Sequence, residues 1–427
     1  MEKHDVVVAG AGLAGMSFAY HYQPDALVLE KESQVGGLVR TTHFNGCRFD
    51  MASHLLHIRV PYIKELVYGK LGLTGKYHAR KSHIYYDNVV IPYPFELNLL
   101  SLSEKTKQDC LEGLKDVKHF TKEEEDEIRK GPYYDYVMKS FGAGIGNHYL
   151  LPYNRKIWDT DPKEMSTEFM SFIPTADKDQ IIKNATEPNS DKFGYNTEFF
   201  YPEEGIQEFA DVFGNQLPNI RLNTEIKFID TKNKTIELTD GSKVGYNKLV
   251  STLPLNFLIA NSDREDLKKY YEKLIYTTVY TVNIVIDGKV PDSHWIYFPQ
   301  EEYDFYRICF PKNYFDKCTP GKQQIIAVEV GSRNHSMDYA EIEKRVVEQV
   351  KSMSIFEIEK IHFVHCIKIP VAYCIYDFER TKLADMLVKE FEKNDIYSIG
   401  RYGNWEYSAM QDAIMYGKNL SDKLKNQ

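Results

Sequence analysis

The chain has 427 residues, 43% of them hydrophobic and 27% charged, with a formal net charge of −9; that length can bury more than one core, in two or three structural units. No basic tract offsets the acidic balance, which argues against nucleic acid or a generic polyanion and leaves an anionic small molecule held by a few placed cations. The six cysteines form no CxxC pair or regular framework, the first residues enter a strand directly, and no apolar run has transmembrane length, so a cytoplasmic enzyme with free thiols is expected.

Residues 6–9 form a continuous apolar run, the pattern of a buried parallel strand. Gly10-Ala-Gly12-Leu-Ala-Gly15 follows. Gly10 allows the tight turn, Gly12 lets backbone approach a pyrophosphate, and Gly15 lets a helix over 13–22 pack close to the strand. A second strand over 26–30 ends in Glu30, an acid that can accept from a ribose hydroxyl pair. This is a dinucleotide site. In a nicotinamide domain another helix and strand would come next; here Lys31 leads to a glycine pair, Gly36-Gly37, with Leu38 and Arg40 behind it. That pattern resembles the amine-oxidase-like FAD proteins, in which the glycine pair lies against the flavin's phosphates. Arg40 either adds charge-assisted bonds there or is a surface cation.

Further along, Asp50-Met-Ala-Ser-His54-Leu-Leu-His57 carries a His-x-x-His pair without a third ligand, so no metal is expected. Residues 101–167 are rich in Lys, Glu, Leu and Asp at helical spacing, with Ser103 as N-cap and the acidic run after Lys122 as a solvated helix face. Phe141-Gly142-Ala-Gly144-Ile-Gly146 follows a helical stretch and has the wrong spacing for a nucleotide loop, so it reads as a helix-linking turn. Strands are expected near 223–229, 234–239 and 248–254, with turns at Lys232-Asn233 and Asp240-Gly241. A second sheet is expected from 276–285, 294–299, 305–310 and 324–330, a helix over 339–353, and His362 and His365 in a strand. The stretch 395–403 returns to the nucleotide fold, and a helix over 409–424 closes the chain.

Five blocks carry a more specific resemblance: Ile91-Pro-Tyr-Pro-Phe95-Glu96-Leu-Asn98, Leu151-Pro-Tyr153-Asn154-Arg-Lys156-Ile-Trp158, Trp295-Ile-Tyr297-Phe-Pro299, Phe305-Tyr306-Arg307 and Gly400-Arg401-Tyr-Gly403-Asn-Trp405-Glu-Tyr407. In this order they resemble the UDP-galactopyranose mutase family, especially its eukaryotic-type branch. The resemblance implies an α/β protein: a Rossmann-type FAD-binding domain (1–77, 201–268 and 386–427), an inserted helical domain (99–172) and a mixed or antiparallel β-sheet substrate domain (78–98, 173–200 and 269–385). It implies a flavin-dependent isomerase of cell-surface polysaccharide biosynthesis that interconverts pyranose and furanose forms of a nucleotide sugar. In that chemistry the reduced flavin bonds to the anomeric carbon as the nucleoside diphosphate leaves, and the sugar ring opens and recloses. NADPH or a separate reductase is left open as electron source, and so is a homo-oligomer.

Residue by residue, the resemblance implies catalytic roles for His54, beside the flavin, and Arg307, a fork for the diphosphate. It implies substrate contacts from Phe95, Glu96, Tyr153, Asn154, Trp158, Trp295, Tyr297, Arg307 and Tyr373. Arg307 could instead be a strand-end arginine paired with a surface acid, and Trp158 and Trp295 could be structural. Cofactor contacts are implied for Gly10, Gly12, Leu13, Ala14, Gly15, Glu30, Lys31, Gly37, Leu38, Arg40, His54, Gly400, Arg401 and Gln411. The chain departs from the pattern at Leu151, where the family has a second phosphate arginine, at Glu96, where it has glutamine, and at Met410, where it has asparagine. Arg155 or Lys156 could compensate for Leu151, or the substrate differs. An FAD-dependent oxidase or desaturase of the protoporphyrinogen oxidase or amine oxidase type is the alternative; a non-enzymatic FAD-binding protein is the third.

Overall fold

The computed structural model describes residues 1–22, 26–172, 177–187 and 197–426. Its first sheet runs in the order Ile226–Asp230, Thr235–Leu238, Lys243–Ser251, Glu2–Ala9, Leu27–Leu29, Ile220–Arg221, with Ile396–Ser398 also paired to Lys243–Ser251. Glu2–Ala9 lies parallel to both its neighbours. Val6 to Ala9 are all buried because helices cover both faces, which is why the strand reads as an unbroken apolar run. The helix Leu13–Tyr22 packs against the closing helix Met410–Lys425 so tightly that a Cβ on Gly417 would lie 2.4 Å from the Phe18 nitrogen.

The second sheet has the order Glu357–Cys374, Tyr276–Lys289, Gln324–Ser332, Arg307–Cys309, Trp295–Tyr297, Ser82–Tyr86, Val89–Pro92. It is antiparallel except between Trp295–Tyr297 and Ser82–Tyr86. Tyr276–Lys289 alternates with period two. Tyr280, Val282, Ile284 and Ile286 pack with the helix Tyr339–Ser352, while Val279 and Val285 face the core shared with the first sheet. The strands expected over 294–299 and 305–310 are shorter, Trp295–Tyr297 and Arg307–Cys309. His362 and His365 lie in Glu357–Cys374.

Between the sheets in sequence stand the helices Glu104–Lys115, Lys122–Ile128, Tyr133–Ile145 and Leu151–Trp158. Ser103 caps the first, its hydroxyl accepting from Thr106 N–H at 3.2 Å. Lys122–Ile128 buries none of its residues. The glycine-rich run 141–146 does link helices, but by a one-residue kink: Gly142 (φ 75°) breaks the helical path within Tyr133–Ile145, and the rest of the run is helical and continues into Gly146–Leu150. Its glycines serve close packing: a Cβ on Gly144 would meet the Asp109 carbonyl oxygen at 2.3 Å. A small sheet pairs Gly75–Ala79 with Glu198–Pro202, so the unit boundaries at 77/78 and 200/201 both cross it. That division is a proposal about folding units, and within its stretch 173–200 residues 173–176 and 188–196 lie outside the described residues. Among the described residues no helix is long and apolar enough to cross a membrane.

Candidate functional site

A cavity of about 960 Å³ is lined by residues of both sheets, at the upper end of small-molecule sites. On the first-sheet side its wall is largely backbone. Gly10 turns with φ 101°, and a Cβ there would lie 2.4 Å from Thr252 Oγ1; a Cβ on Gly12 would meet nothing within 4 Å, so that backbone faces open space. Glu30 is buried and fixed, one carboxylate oxygen accepting Ala11 N–H at 2.8 Å and the other Glu32 N–H at 3.0 Å. Arg40 donates to the Gly37 carbonyl at 2.9 Å and pairs with Glu32 at 2.8 Å while lining the cavity. A pyrophosphate-linked dinucleotide would suit this wall: its small residues leave room for backbone to approach the phosphates, and the fixed acid could accept from a ribose.

Gly10, Gly12, Leu13, Ala14, Glu30, Lys31, Gly37, Leu38, Arg40, His54, Gly400 and Arg401 all lie on the cavity wall. Two residues expected at the cofactor do not. Gly15 sits beneath the turn, where a Cβ would strike the Gly10 carbonyl oxygen at 2.2 Å. Gln411 is turned to the backbone of Arg59, accepting its N–H at 2.9 Å. Thr224, Thr252 and Leu253 also line the wall; each ends or follows a first-sheet strand, and nothing in their residue types singles them out.

His54 lies where the two sides meet. Its Nδ1 is 2.9 Å from the Ala52 carbonyl oxygen, which assigns the proton to Nδ1 and leaves Nε2 bare. Burial pushes its pKa down to about 4, with the Arg401 and Arg307 charges acting the same way, so the ring is neutral in ordinary buffers. The second histidine, His57, turns Nδ1 to the Glu198 carbonyl at 3.1 Å. Among the described residues no group of three His, Cys, Asp or Glu is arranged to hold a metal.

On the second-sheet side the wall is made of side chains. Arg307, Trp295, Tyr297 and Tyr373 line it, and so do Arg80, Tyr93, Tyr306 and Tyr407, which sequence reasoning missed as site residues. Tyr93 and Tyr306 sit inside motif blocks that drew attention to their neighbours; Arg80 stands in no motif. Arg307 pairs with an acid, but a buried one: Nε and Nη2 reach Glu329 at 3.0 and 2.9 Å. Burial opposes the guanidinium's charge, yet the Glu329 carboxylate raises its pKa well above the ordinary value. Arg401 donates to the Ser408 and Ala372 carbonyls, both at 2.9 Å, and lies over the rings of Tyr373 and Tyr407. Among the described residues the carboxylates on the cavity wall, Glu30, Glu32 and Glu225, all belong to the first-sheet side.

The remaining expected substrate residues lie behind this wall. Phe95, Tyr149 and Tyr153 form a stacked ladder with centroids 5.0 and 5.5 Å apart, and Tyr153 meets Tyr297 edge-on at 5.4 Å. Asn154 donates to the Tyr133 hydroxyl at 2.8 Å and accepts from the Trp158 indole at 3.1 Å. Trp158 packs its edge on Tyr373 at 5.4 Å, a supporting contact. Glu96 is buried among tyrosines, and burial pushes its carboxyl up to about 7. Leu151 is a core residue. Neither basic neighbour replaces an arginine there: Lys156 donates to the Phe298 and Gln300 carbonyls at 2.8 and 2.7 Å, and Arg155 reaches Glu301 at 3.5 Å on the surface. Met410 does line the cavity.

Among solved structures the chain is similar to a reduced UDP-galactopyranose mutase, with TM-score 0.91 and 23% identity over 99% of this chain and 96% of that one. It is also similar to a protein named as a protoporphyrinogen oxidase of Exiguobacterium sp. 255-15, with TM-score 0.75 and 15% identity over 99% and 98% of the two chains. A third is a fatty acid isomerase of P. acnes that produces CLA, with TM-score 0.67 and 15% identity over 98% of each chain. These likenesses establish the fold. A family model for flavin-containing amine oxidoreductases matches residues 13–424, nearly the whole length and both sides of the cavity. The chain therefore belongs to the flavin-containing amine oxidoreductase family.

Proposed function

We propose that the protein is a flavin-dependent mutase that interconverts the pyranose and furanose forms of a nucleotide sugar similar to UDP-galactopyranose. One observation carries the reading: Arg307, Tyr297 and Tyr373 line the cavity together with Arg80 and Arg401, and among the described residues no carboxylate lines that side. A cationic, phenol-rich wall suits a diphosphate better than an amine or an apolar substrate. Bound FAD in its reduced form would supply the electron-rich centre that attacks the sugar; Gly10, Gly12, Glu30, Lys31, Gly37, Arg40 and Gly400 would hold it.

The chain's own residues do the rest. Arg307 holds the departing diphosphate near the sugar, so that it returns instead of diffusing away. Burial keeps the Tyr297 and Tyr373 hydroxyls protonated, that of Tyr373 up to about 12, so both act as donors to phosphate oxygens. His54, neutral and half-buried, adds no positive charge beside the flavin. The reading carries with it a cytoplasmic location, a place in cell-surface polysaccharide synthesis, and electrons from NADPH or a separate reductase.

The test is direct. The purified flavoprotein is reduced with dithionite without air and given UDP-galactopyranose and a panel of nucleotide sugars. The panel varies base and sugar because Leu151 and Glu96 depart from the family pattern. Chromatography is expected to find a furanose product from at least one of them, and none from the oxidised protein. No product from any sugar, with peroxide formed from an amine or a porphyrinogen, overturns the reading in favour of the oxidase.

A further inference from the structure

We propose that Glu329 is the positioning residue of the anion-binding wall: it clamps one edge of Arg307 and presents the other to the cavity. The proposal rests on the anionic-ligand reading above. Glu329 is 1% exposed and directly opposite Arg307 across two antiparallel strands. Its oxygens accept from Arg307 Nε at 3.0 Å and Nη2 at 2.9 Å, and from the Tyr306 hydroxyl at 2.7 Å. Ser53 N–H stands 3.5 Å away, so the same carboxylate also abuts the loop that carries His54. Arg307 and Tyr306 both line the cavity, and Glu329 does not.

A buried carboxylate is a poor choice beside an anion site on electrostatic grounds alone. It cancels part of the charge that attracts the ligand, and its own burial is costly. What it supplies is geometry. An arginine side chain has several rotatable bonds, and a two-point contact removes that freedom before the ligand arrives. With Nε and Nη2 engaged, Nη1 is left for a phosphate oxygen. Tyr306, bonded to the same carboxylate, is held on the same wall.

The two roles predict opposite signs. If Glu329 only neutralised charge, Glu329→Gln would tighten anion binding. If it positions Arg307, the variant loosens it, because an amide cannot accept from all three donors. Binding of inorganic pyrophosphate and of UDP to the flavin-loaded protein is followed by the flavin absorption spectrum. Glu329→Gln is expected to weaken both by about tenfold or more, with flavin content unchanged. Glu329→Asp, which keeps the charge at shorter reach, recovers part of the loss. In an Arg307→Lys background, Glu329→Gln adds little, since the fork is already gone. Unchanged or tighter binding in Glu329→Gln, or full additivity with Arg307→Lys, overturns the proposal while leaving the mutase reading intact. If Glu329→Gln loses flavin, Glu329→Asp alone and combined with Arg307→Lys decides by the same criteria. Wild-type protein that binds neither probe overturns the anionic-ligand reading, and this inference with it.

Discussion

The two sides of the cavity are built from different materials. On the first-sheet side, Gly10, Gly12 and Gly37 bring main chain to the wall, and a single acid, Glu30, is pinned by backbone N–H groups. On the second-sheet side, Tyr297, Tyr373 and the adjacent pair Tyr306 and Arg307 reach the wall from or beside three strands, each side chain braced by another. The backbone-built side has no room for a Cβ at Gly10 and keeps open space over Gly12, where an added side chain would occupy the ligand's place. The side-chain-built side depends on partners lying behind it, and its ligand preference can change without disturbing the fold.

Substitutions can break that contrast. The largest effect is expected from Gly15→Val, because even a Cβ would stand 2.2 Å from the Gly10 carbonyl oxygen. Forced apart, strand and helix lose about 3 kcal/mol or more; purified protein should be colourless and melt early. Wild-type flavin absorbance in this variant would refute the tight-backbone account.

Glu96 probes the helical layer behind the other wall. Burial holds its carboxyl at about 7 against an ordinary 4.5. A raised carboxyl pKa means the folded state keeps the proton more tightly, so this contribution is full below about 4.5 and is lost as pH rises through 7. Glu96→Gln should remove that slope and exceed wild type by about 3 kcal/mol at pH 8, and by little at pH 4. Thermal melts across this range check it. Parallel curves would mean that the carboxyl is not isolated from water.

Arg307→Lys keeps the charge and discards the fork. UDP binding is expected to weaken by about 2 kcal/mol with flavin content unchanged, which titration of the flavin spectrum measures. Loss of flavin together with ligand would mean that the two sides do not act separately. The smallest effect is Ser103→Ala, which removes the cap on Glu104–Lys115. It should cost about 1 kcal/mol of stability and leave flavin and anion binding alone; a change in either would tie the cavity to the far end of the helical layer.

Much of the first-sheet side was legible because its requirements are local. The spacing of Gly10, Gly12 and Gly15 and the distance to Glu30 describe one strand, one turn and one helix, and only small residues satisfy it. Gly15 stands behind the wall because its part is strand–helix contact. Gln411, near the chain's end, is drawn off to Arg59, a partner 352 positions away that no local pattern announces. On the second-sheet side the motif blocks pointed to Arg307, Tyr297 and Trp295, and the resemblance to Tyr373 as well; all four line the cavity. Phe95, Glu96, Asn154 and Trp158 come from two other blocks and lie behind it, because a block does not say which of its side chains face a cavity. The glycine-rich run 141–146 links two helices at Gly142, as its pattern suggested, but only the fold shows that its glycines also make the close contact with the helix Glu104–Lys115.

What the residue order alone determined is the nucleotide-binding frame: short-range sterics of glycine and the period of apolar residues act within a few turns of chain. Only the tertiary structure decided that Glu329 stands behind Arg307, that Arg80 joins the same wall, and that Leu151 belongs to the core. Those are meetings of strands and helices far apart in the chain, and packing and buried charge, which act through space, select them.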